Sequence, residues 1–552
     1  MKPCKETTVL LLASIILFLP TTVRAEEKQQ EHPQYKIIHR DAIARIVDGD
    51  YDTAIKHFEN YLKEHPGDLE SFYGLAVAYA QKKETDKSIT YTKEALNSGL
   101  SFSRFLAGPR DLLKELTDSN DFQKLKKEYG AELLNGPMLG CVTEKSAKFW
   151  VRTADEVSVQ VLISDLQKMG PGIKSAIVKT AKDRDFTAIV SMEGLKPNTT
   201  YYYELIINGK KEAKQWSFKT FPASGTKAKF QIGFGGGAGY SPQNERMWNT
   251  IASHNLTAFL FLGDNVYIDH PEKPAVQRYC YYQHQCRPEF PNFTAGASIY
   301  AIYDDHDFST NDSVGGPEID KPAWKKTVWR IFTENWNNPY YAGGEGQPGC
   351  WCDFSIGDVD FIMLDCRYYR TDPQKENPSM LGPVQKKWLF DKLGGSKATF
   401  KVLVSSVPWA FGTKPSTQTT DRGQVPGSLD TWEGFKKERE EIFSFIEKNK
   451  INGVVLLSAD RHRSDTWKIE RENGYTLYEF ESSKLTNIHT HQLIPAALFG
   501  YNQKCSFGLL TFDTTKPDPE LTYQIISIDN EVINTLTLKK SQLKVLKSQT
   551  NK

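Results

Sequence analysis

Five short runs of almost unbroken apolar residues constrain this chain more than any other feature. They are Phe230-Gln231-Ile232-Gly233-Phe234, Ala258-Phe259-Leu260-Phe261-Leu262, Val359-Asp360-Phe361-Ile362-Met363-Leu364, Phe400-Lys401-Val402-Leu403-Val404 and Gly453-Val454-Val455-Leu456-Leu457. Strands of this composition need burial on both faces, and here they alternate with helical patterns, as in a layered α/β arrangement. The residues just beyond the strands are equally regular. Leu262 leads into Gly263-Asp264-Asn265-Val266-Tyr267, and Ala301-Ile302-Tyr303 into Asp304-Asp305-His306-Asp307, with Asn311-Asp312 close behind. Leu364 leads into Asp365-Cys366-Arg367, and Leu457-Ser458-Ala459 into Asp460-Arg461-His462. Open sheets bind ligands beyond the carboxyl ends of their strands. Several such ends would therefore deliver acids and histidines to one rim.

Carboxylates crowded at one rim repel each other and shift their protonation, unless cations remove the conflict. An oxygen-rich set suits hard ions such as Ca²⁺, Mn²⁺ or Fe³⁺. Tyr267, close behind Asp264, adds a phenol oxygen that suits Fe³⁺. Cations so held activate water and polarise a phosphoryl oxygen, and the planar guanidinium of Arg367 matches phosphate. Taken singly, the clusters have plainer explanations. Gly-Asp after a strand is a common turn, and Arg367 alone fits a structural ion pair equally well. Three acids around His306 are harder to accommodate without a cation. It is their joint placement after buried strands that points to a metal site.

The chain's 552 residues exceed what one core holds, roughly 250–300. Lys2 and Lys5, the apolar stretch from Val9 to Leu19, Pro20 and Val23-Arg24-Ala25 have the layout of a Sec-type secretory signal over residues 1–25. The stretch is shorter than the ~20 residues a membrane span needs. The expectation is a soluble, secreted or periplasmic protein. Residues 35–130 follow helical spacing, and Gly49-Asp50-Tyr51-Asp52-Thr53-Ala54-Ile55 is echoed 34 residues later by Lys83-Glu84-Thr85-Asp86-Lys87-Ser88-Ile89. That period and the intervening turn resemble tetratricopeptide repeats. So short an array serves either as a peptide- or protein-docking groove or as a helical cap packed on the rest. Residues 136–222 switch to alternating β-formers. Gly194-Leu195-Lys196-Pro197 followed by Tyr201-Tyr202-Tyr203 looks like the tyrosine corner of a fibronectin-III-like sandwich, in which no catalytic residue is expected.

The ordered series of motifs resembles the alkaline phosphatase D (PhoD-like) metallophosphatases of the calcineurin-like phosphoesterase superfamily. It begins with Gly136-Pro137-Met138-Leu139-Gly140 and Phe149-Trp150-Val151-Arg152-Thr153 and continues through the Asp264, Asp304 and Arg367 clusters. It closes with Leu381-Gly382-Pro383, Asp430-Thr431-Trp432-Glu433-Gly434-Phe435 and Ser458-Ala459-Asp460-Arg461-His462. The resemblance implies a multidomain α+β chain. A tetratricopeptide-like segment and a fibronectin-III-like sandwich would precede a catalytic domain at 227–535, a two-sheet β-sandwich flanked by helices. It implies phosphomonoesterase or phosphodiesterase activity, through attack on phosphorus by metal-activated hydroxide, with Ca²⁺ and Fe³⁺ as cofactors. Carried over residue by residue, Asp264, Tyr267, Asp304, Asp305, Asn311, Asp460 and His462 would be metal ligands. His306 would protonate the leaving oxygen and Arg367 would hold the phosphate. At one loop of the catalytic part the chain departs from the family. Gly237, in Phe234-Gly235-Gly236-Gly237-Ala238-Gly239-Tyr240, stands where many members have an iron-ligating cysteine. Such a loop is either an anion cradle of backbone amides or a tight turn.

The charge balance, 69 Lys+Arg against 68 Asp+Glu, gives no basic patch of the kind nucleic acid requires. The expected partners are a phosphate-ester substrate and, if the helical segment is a groove, a protein or peptide. The seven cysteines beyond Cys4 permit disulfides in an oxidising compartment, with the stretch from Cys280 to Cys352 as the best candidate region. The alternative to a hydrolase is a degenerate phosphatase that docks a partner through its helical segment.

Overall fold

In a computed structural model, residues 35–414 and 427–545 are described. The signal sequence expected at 1–25 lies outside them. Helices fill the segment up to Tyr129. The first, α1 (Tyr35–Val47), precedes Tyr51–Glu64, Leu69–Gln81 and Thr85–Asn97. Asp50 and Asp68 cap the second and third by accepting hydrogen bonds from the amides of Thr53 and Ser71. The segment lies against the body of the protein. Arg110 donates to the carbonyls of Thr153 and Ala154 at 2.9 and 2.7 Å. Tyr73 faces Tyr279, and Arg104, paired with the buried Glu70, stacks against both rings. Of the two readings of this segment, this packing matches the cap.

Each of the five apolar runs forms a buried strand, and together they are divided between two sheets. A nine-stranded sheet runs, in spatial order, through 532–539, 520–527, 506–513, 229–235, 258–262, 298–302, 133–140, 147–153 and 187–192. Its central strands 229–235, 258–262 and 298–302 are parallel, so their carboxyl ends share one edge. A seven-stranded sheet runs through 352–356, 359–363, 400–404, 454–458, 477–482, 464–469 and 499–501, and its core is parallel from 359–363 to 477–482. Tyr523 of the first sheet stacks on Phe480 of the second at 4.3 Å, which places the main core between them.

The sandwich expected at 136–222 is not free-standing. Its first strand starts at Leu133, and Gly140 pairs in parallel with Ile299, which extends the nine-stranded sheet by three strands. The remaining strands, 158–164, 173–174, 178–179, 200–207 and 210–219, form a separate five-stranded sheet. Without this annexation strand 298–302 would expose an unpaired edge. The Tyr201 hydroxyl accepts the Lys196 amide at 3.0 Å, the bond expected of a tyrosine corner. Cysteines are the clearest departure. All seven in the described residues are free, six of them buried, so the cluster from Cys280 to Cys352 packs as small apolar side chains. Burial pushes the Cys141 and Cys280 thiols up to about 12.

Candidate metal centre

The loops that end the parallel strands meet where the edges of the two sheets come together. Gly263 has φ +104°, and a Cβ there would lie 2.5 Å from the Cβ of Asp304. Only glycine lets these two strand ends approach so closely. Asp264 follows in the left-handed region at φ 54°, a conformation that Asp tolerates better than most residues. Asp304 caps the short turn Asp305–Phe308. Asp307 ties the two loops together: its carboxylate accepts the amides of Asn265, Val266 and Asp304 at 3.0, 3.1 and 3.0 Å. Of the three acids around His306, this one serves the framework.

Two overlapping groups of ligand atoms result. Asp264, Asp305 and His306 form one and Asp305, Asp312 and Asp430 the other, with the atoms of each group within 4.8 Å of one another. Three buried carboxylate oxygens here, on Asp264, Asp304 and Asp312, have no hydrogen-bond partner. An orphaned buried acceptor costs roughly 1–3 kcal/mol, and more when charged. Burial pushes the Asp264 carboxyl well above its usual range, with the neighbouring acids adding to the rise. Burial, with Asp430 next, raises Asp312 to about 6. Carboxylates held this close, with oxygens left over, fit hard cations. Sequence patterns alone do not mark Asp312 and Asp430 as ligands. Asp430 stands in the Asp430-Thr431-Trp432 motif, which is the available signal.

Around Asp264 the other expected ligands assemble. The Tyr267 hydroxyl donates to Asp264 Oδ2 at 2.8 Å and accepts from Asn487 Nδ2 at 2.7 Å. His462 Nε2 lies 3.9 Å from the same Asp264 oxygen. Asn487, His489 and His491 complete this corner: the two imidazoles pack edge-on against His462, at centroid distances of 5.0 and 5.3 Å. No strand-end pattern points to them. Burial drives His462 well below the usual imidazole range, leaving it neutral, as a ligand must be.

Other expected residues are placed differently. Asp460 is engaged by the adjacent Arg461 and belongs to neither acid group among the described residues. Asn311 is half-buried in the loop that carries Asp312. Arg367 is fully buried and already engaged. Its Nε donates to Asp304 Oδ1 at 2.5 Å, and its two terminal nitrogens fork onto Asp430 at 2.7 and 3.0 Å. In this structure it orders the acids and does not project toward a substrate. The amides of Gly236, Gly237 and Ala238 are spent on the carbonyls of Ser482, Gly263 and Asp264, so the glycine loop is a tight turn and no anion cradle. At Gly237, with φ +67°, a Cβ would lie 2.6 Å from the Ser483 carbonyl and 3.3 Å from His462 Nδ1. The backbone here does not accept the cysteine.

His306 Nδ1 bonds Asp269 Oδ1 at 2.6 Å, and its ring leans on Tyr267 at 4.5 Å. Burial works against the imidazolium, but Asp269, Asp305 and Asp264 outweigh it and lift the group to about 10. Two cations from α1 also reach this corner. Lys36 Nζ sits 3.1 Å above the Tyr267 ring, and Arg40 donates to the Tyr267 carbonyl at 3.1 Å and pairs with Asp269. Burial pulls the Lys36 ammonium down to about 7 against the pull of Asp264 and Asp269.

Comparison with known proteins matches three segments of the chain. Residues 232–493 match the PhoD-like phosphatase family, 130–225 a domain family of unknown function, and 47–104 the tetratricopeptide repeat. Alkaline phosphatase D of Bacillus subtilis (strain 168) is 27% identical over 345 residues, covering 54% of this chain. The chain spans 56% of that relative's length. The solved structure of PhoD superposes with a TM-score of 0.60 at 17% identity, covering 75% of this chain and 92% of its own. A purple acid phosphatase from yellow lupin (Lupinus luteus) seeds superposes with a TM-score of 0.55 at 13% identity, covering 74% and 75%. These two likenesses establish a shared fold. Residues 232–493 are thus a PhoD-like phosphatase domain, with tetratricopeptide repeats ahead of it at 47–104.

Proposed function

We propose that this chain is an exported hydrolase of phosphate esters, working at the centre built on Asp264, Tyr267, Asp305, Asp312 and His462. The observation that carries the reading is the set of orphaned, buried carboxylate oxygens on Asp264, Asp304 and Asp312 at the meeting edge of the two sheets. Bound cations would supply Lewis acidity at phosphorus and an activated water. The chain's own residues do the rest. Tyr267 and Asn487 orient Asp264, while Arg367 fixes Asp304 and Asp430. Asp269 holds His306 through Nδ1 at 2.6 Å, which leaves Nε2 as the nitrogen to give a proton to the leaving oxygen. The phenol beside Asp264 suits a trivalent ion such as Fe³⁺, with Ca²⁺ for the all-carboxylate group. The arrangement of Lys2, Lys5 and the apolar stretch behind them supports export.

Assaying the full chain with nitrophenyl phosphate and bis-nitrophenyl phosphate, with and without chelator, tests the reading. Metal-dependent release of nitrophenol from either ester supports it. Release from neither, by folded and metal-loaded protein, refutes it.

A further inference from the structure

The strongest feature that the catalytic domain does not explain is the pair of cations reaching it from α1. Lys36 and Arg40 lie four residues apart, one turn along the same helix face, and both are buried, at 6% and 5% exposure. Buried lysine and arginine side chains are rare unless they are paired. Arg40 meets Asp269 Oδ2 and the Tyr267 carbonyl through one nitrogen, and its remaining donors hold Asp41 at 2.8–2.9 Å. Asp41 in turn takes His270 Nε2 at 3.2 Å. The other oxygen of Asp269 holds His306 Nδ1 at 2.6 Å. One carboxylate thus bridges two groups, one oxygen to each. Asp269 itself sits in the left-handed region at φ 40°, which Asp tolerates better than most residues.

We propose that α1 is a working wall of the catalytic centre, in which Arg40 is a positioning residue that fixes the orientation of His306 through Asp269. The inference rests on the phosphate-ester reading and assigns the N-terminal helix a part in the reaction, distinct from partner docking. Without Arg40, Asp269 loses one of its two side-chain hydrogen-bond partners and can swing with His306. Nε2 then loses its aim at the leaving oxygen, while the acids that hold cations are untouched. Lys36, over the Tyr267 ring, anchors the same helix one turn earlier.

The test uses the full chain loaded with metal, comparing nitrophenyl phosphate with an alkyl phosphate that needs its leaving oxygen protonated. Removing the support behind a functional side chain typically costs about 10–100-fold. The expected result is that Arg40→Ala loses about that much kcat on the alkyl ester and less than about threefold on the nitrophenyl ester. Arg40→Lys should recover part of the loss, and Arg40→Ala combined with His306→Ala should be no slower than His306→Ala alone. Equal losses on both esters, or losses that multiply in the double variant, would overturn the proposal. Arg40→Gln replaces Arg40→Ala if the latter does not fold. Wild-type protein that hydrolyses neither ester brings down the hydrolase reading and this inference with it, an outcome distinct from the ester-independent loss.

Discussion

His462 Nε2 stands 3.9 Å from Asp264 Oδ2, although the two residues end strands of different sheets. Asp264 follows strand 258–262 of the nine-stranded sheet, and His462 follows 454–458 of the seven-stranded one. Their proximity depends on how the sheets pack, so the site exists only when both are assembled. Asp264→Ala and His462→Ala should each leave the fold intact and lower kcat on nitrophenyl phosphate. The loss expected at Asp264 is on the order of a thousandfold, several kcal/mol of electrostatic stabilisation. Steady-state kinetics together with circular dichroism checks this.

Arg367 should behave as a framework residue. Its fork on Asp430 and its bond to Asp304 are wholly buried. Removing one partner of a buried ion pair costs about 3–5 kcal/mol. Arg367→Ala should therefore unfold at markedly lower denaturant concentration than wild type. Unchanged stability with a selectively raised KM would restore the phosphate-holding role.

The His306 imidazolium should leave a signature in the metal-free protein. Its group titrates at about 10 in the fold, against roughly 6.5 in an unfolded chain. A raised imidazole contributes stability that is complete below about pH 6.5 and disappears as pH climbs through about 10. The Tm difference between wild type and His306→Gln, both metal-free, should be largest near pH 6 and shrink steadily to pH 10. Thermal denaturation across that range measures it, and a difference independent of pH would contradict the assignment.

Gly237→Cys should not recreate an iron ligand. The new Cβ would press on the Ser483 carbonyl in a backbone conformation that disfavours side chains. A non-glycine residue forced there costs about 1–3 kcal/mol. Lower Tm without added iron is expected. Iron bound stoichiometrically by the variant would show that the loop yields.

Much of this was legible in the residues. The five apolar runs announce their strands because burial on both faces leaves no alternation to hide, and Asp264, Asp305 and His306 are found because each follows a strand. Asp312 comes from a loop and Asp430 from the short 3-10 turn Gly427–Asp430, where no periodicity marks the position. Asn487, His489 and His491 arrive from a stretch without regular structure. Lys36 and Arg40 belong to a helix whose partner is set by tertiary packing alone. Arg367 shows the converse difficulty: its type suits phosphate and carboxylate equally, and only the neighbours reveal which it meets. The merging of the 136–222 segment with the nine-stranded sheet depends on pairing between Gly140 and Ile299, a long-range contact that local patterns do not encode.

If the acids at the meeting sheet edges share cations needed for hydrolysis, metal content and turnover must rise and fall together. Elemental analysis of purified protein, paired with nitrophenyl phosphate turnover before and after chelation, reads both at once. Wild type should carry stoichiometric metal, lose turnover on chelation and regain it with metal, and the Asp264→Ala, Asp305→Ala double variant should show neither metal nor turnover. Turnover that persists in fully demetallated protein would refute the shared-cation site.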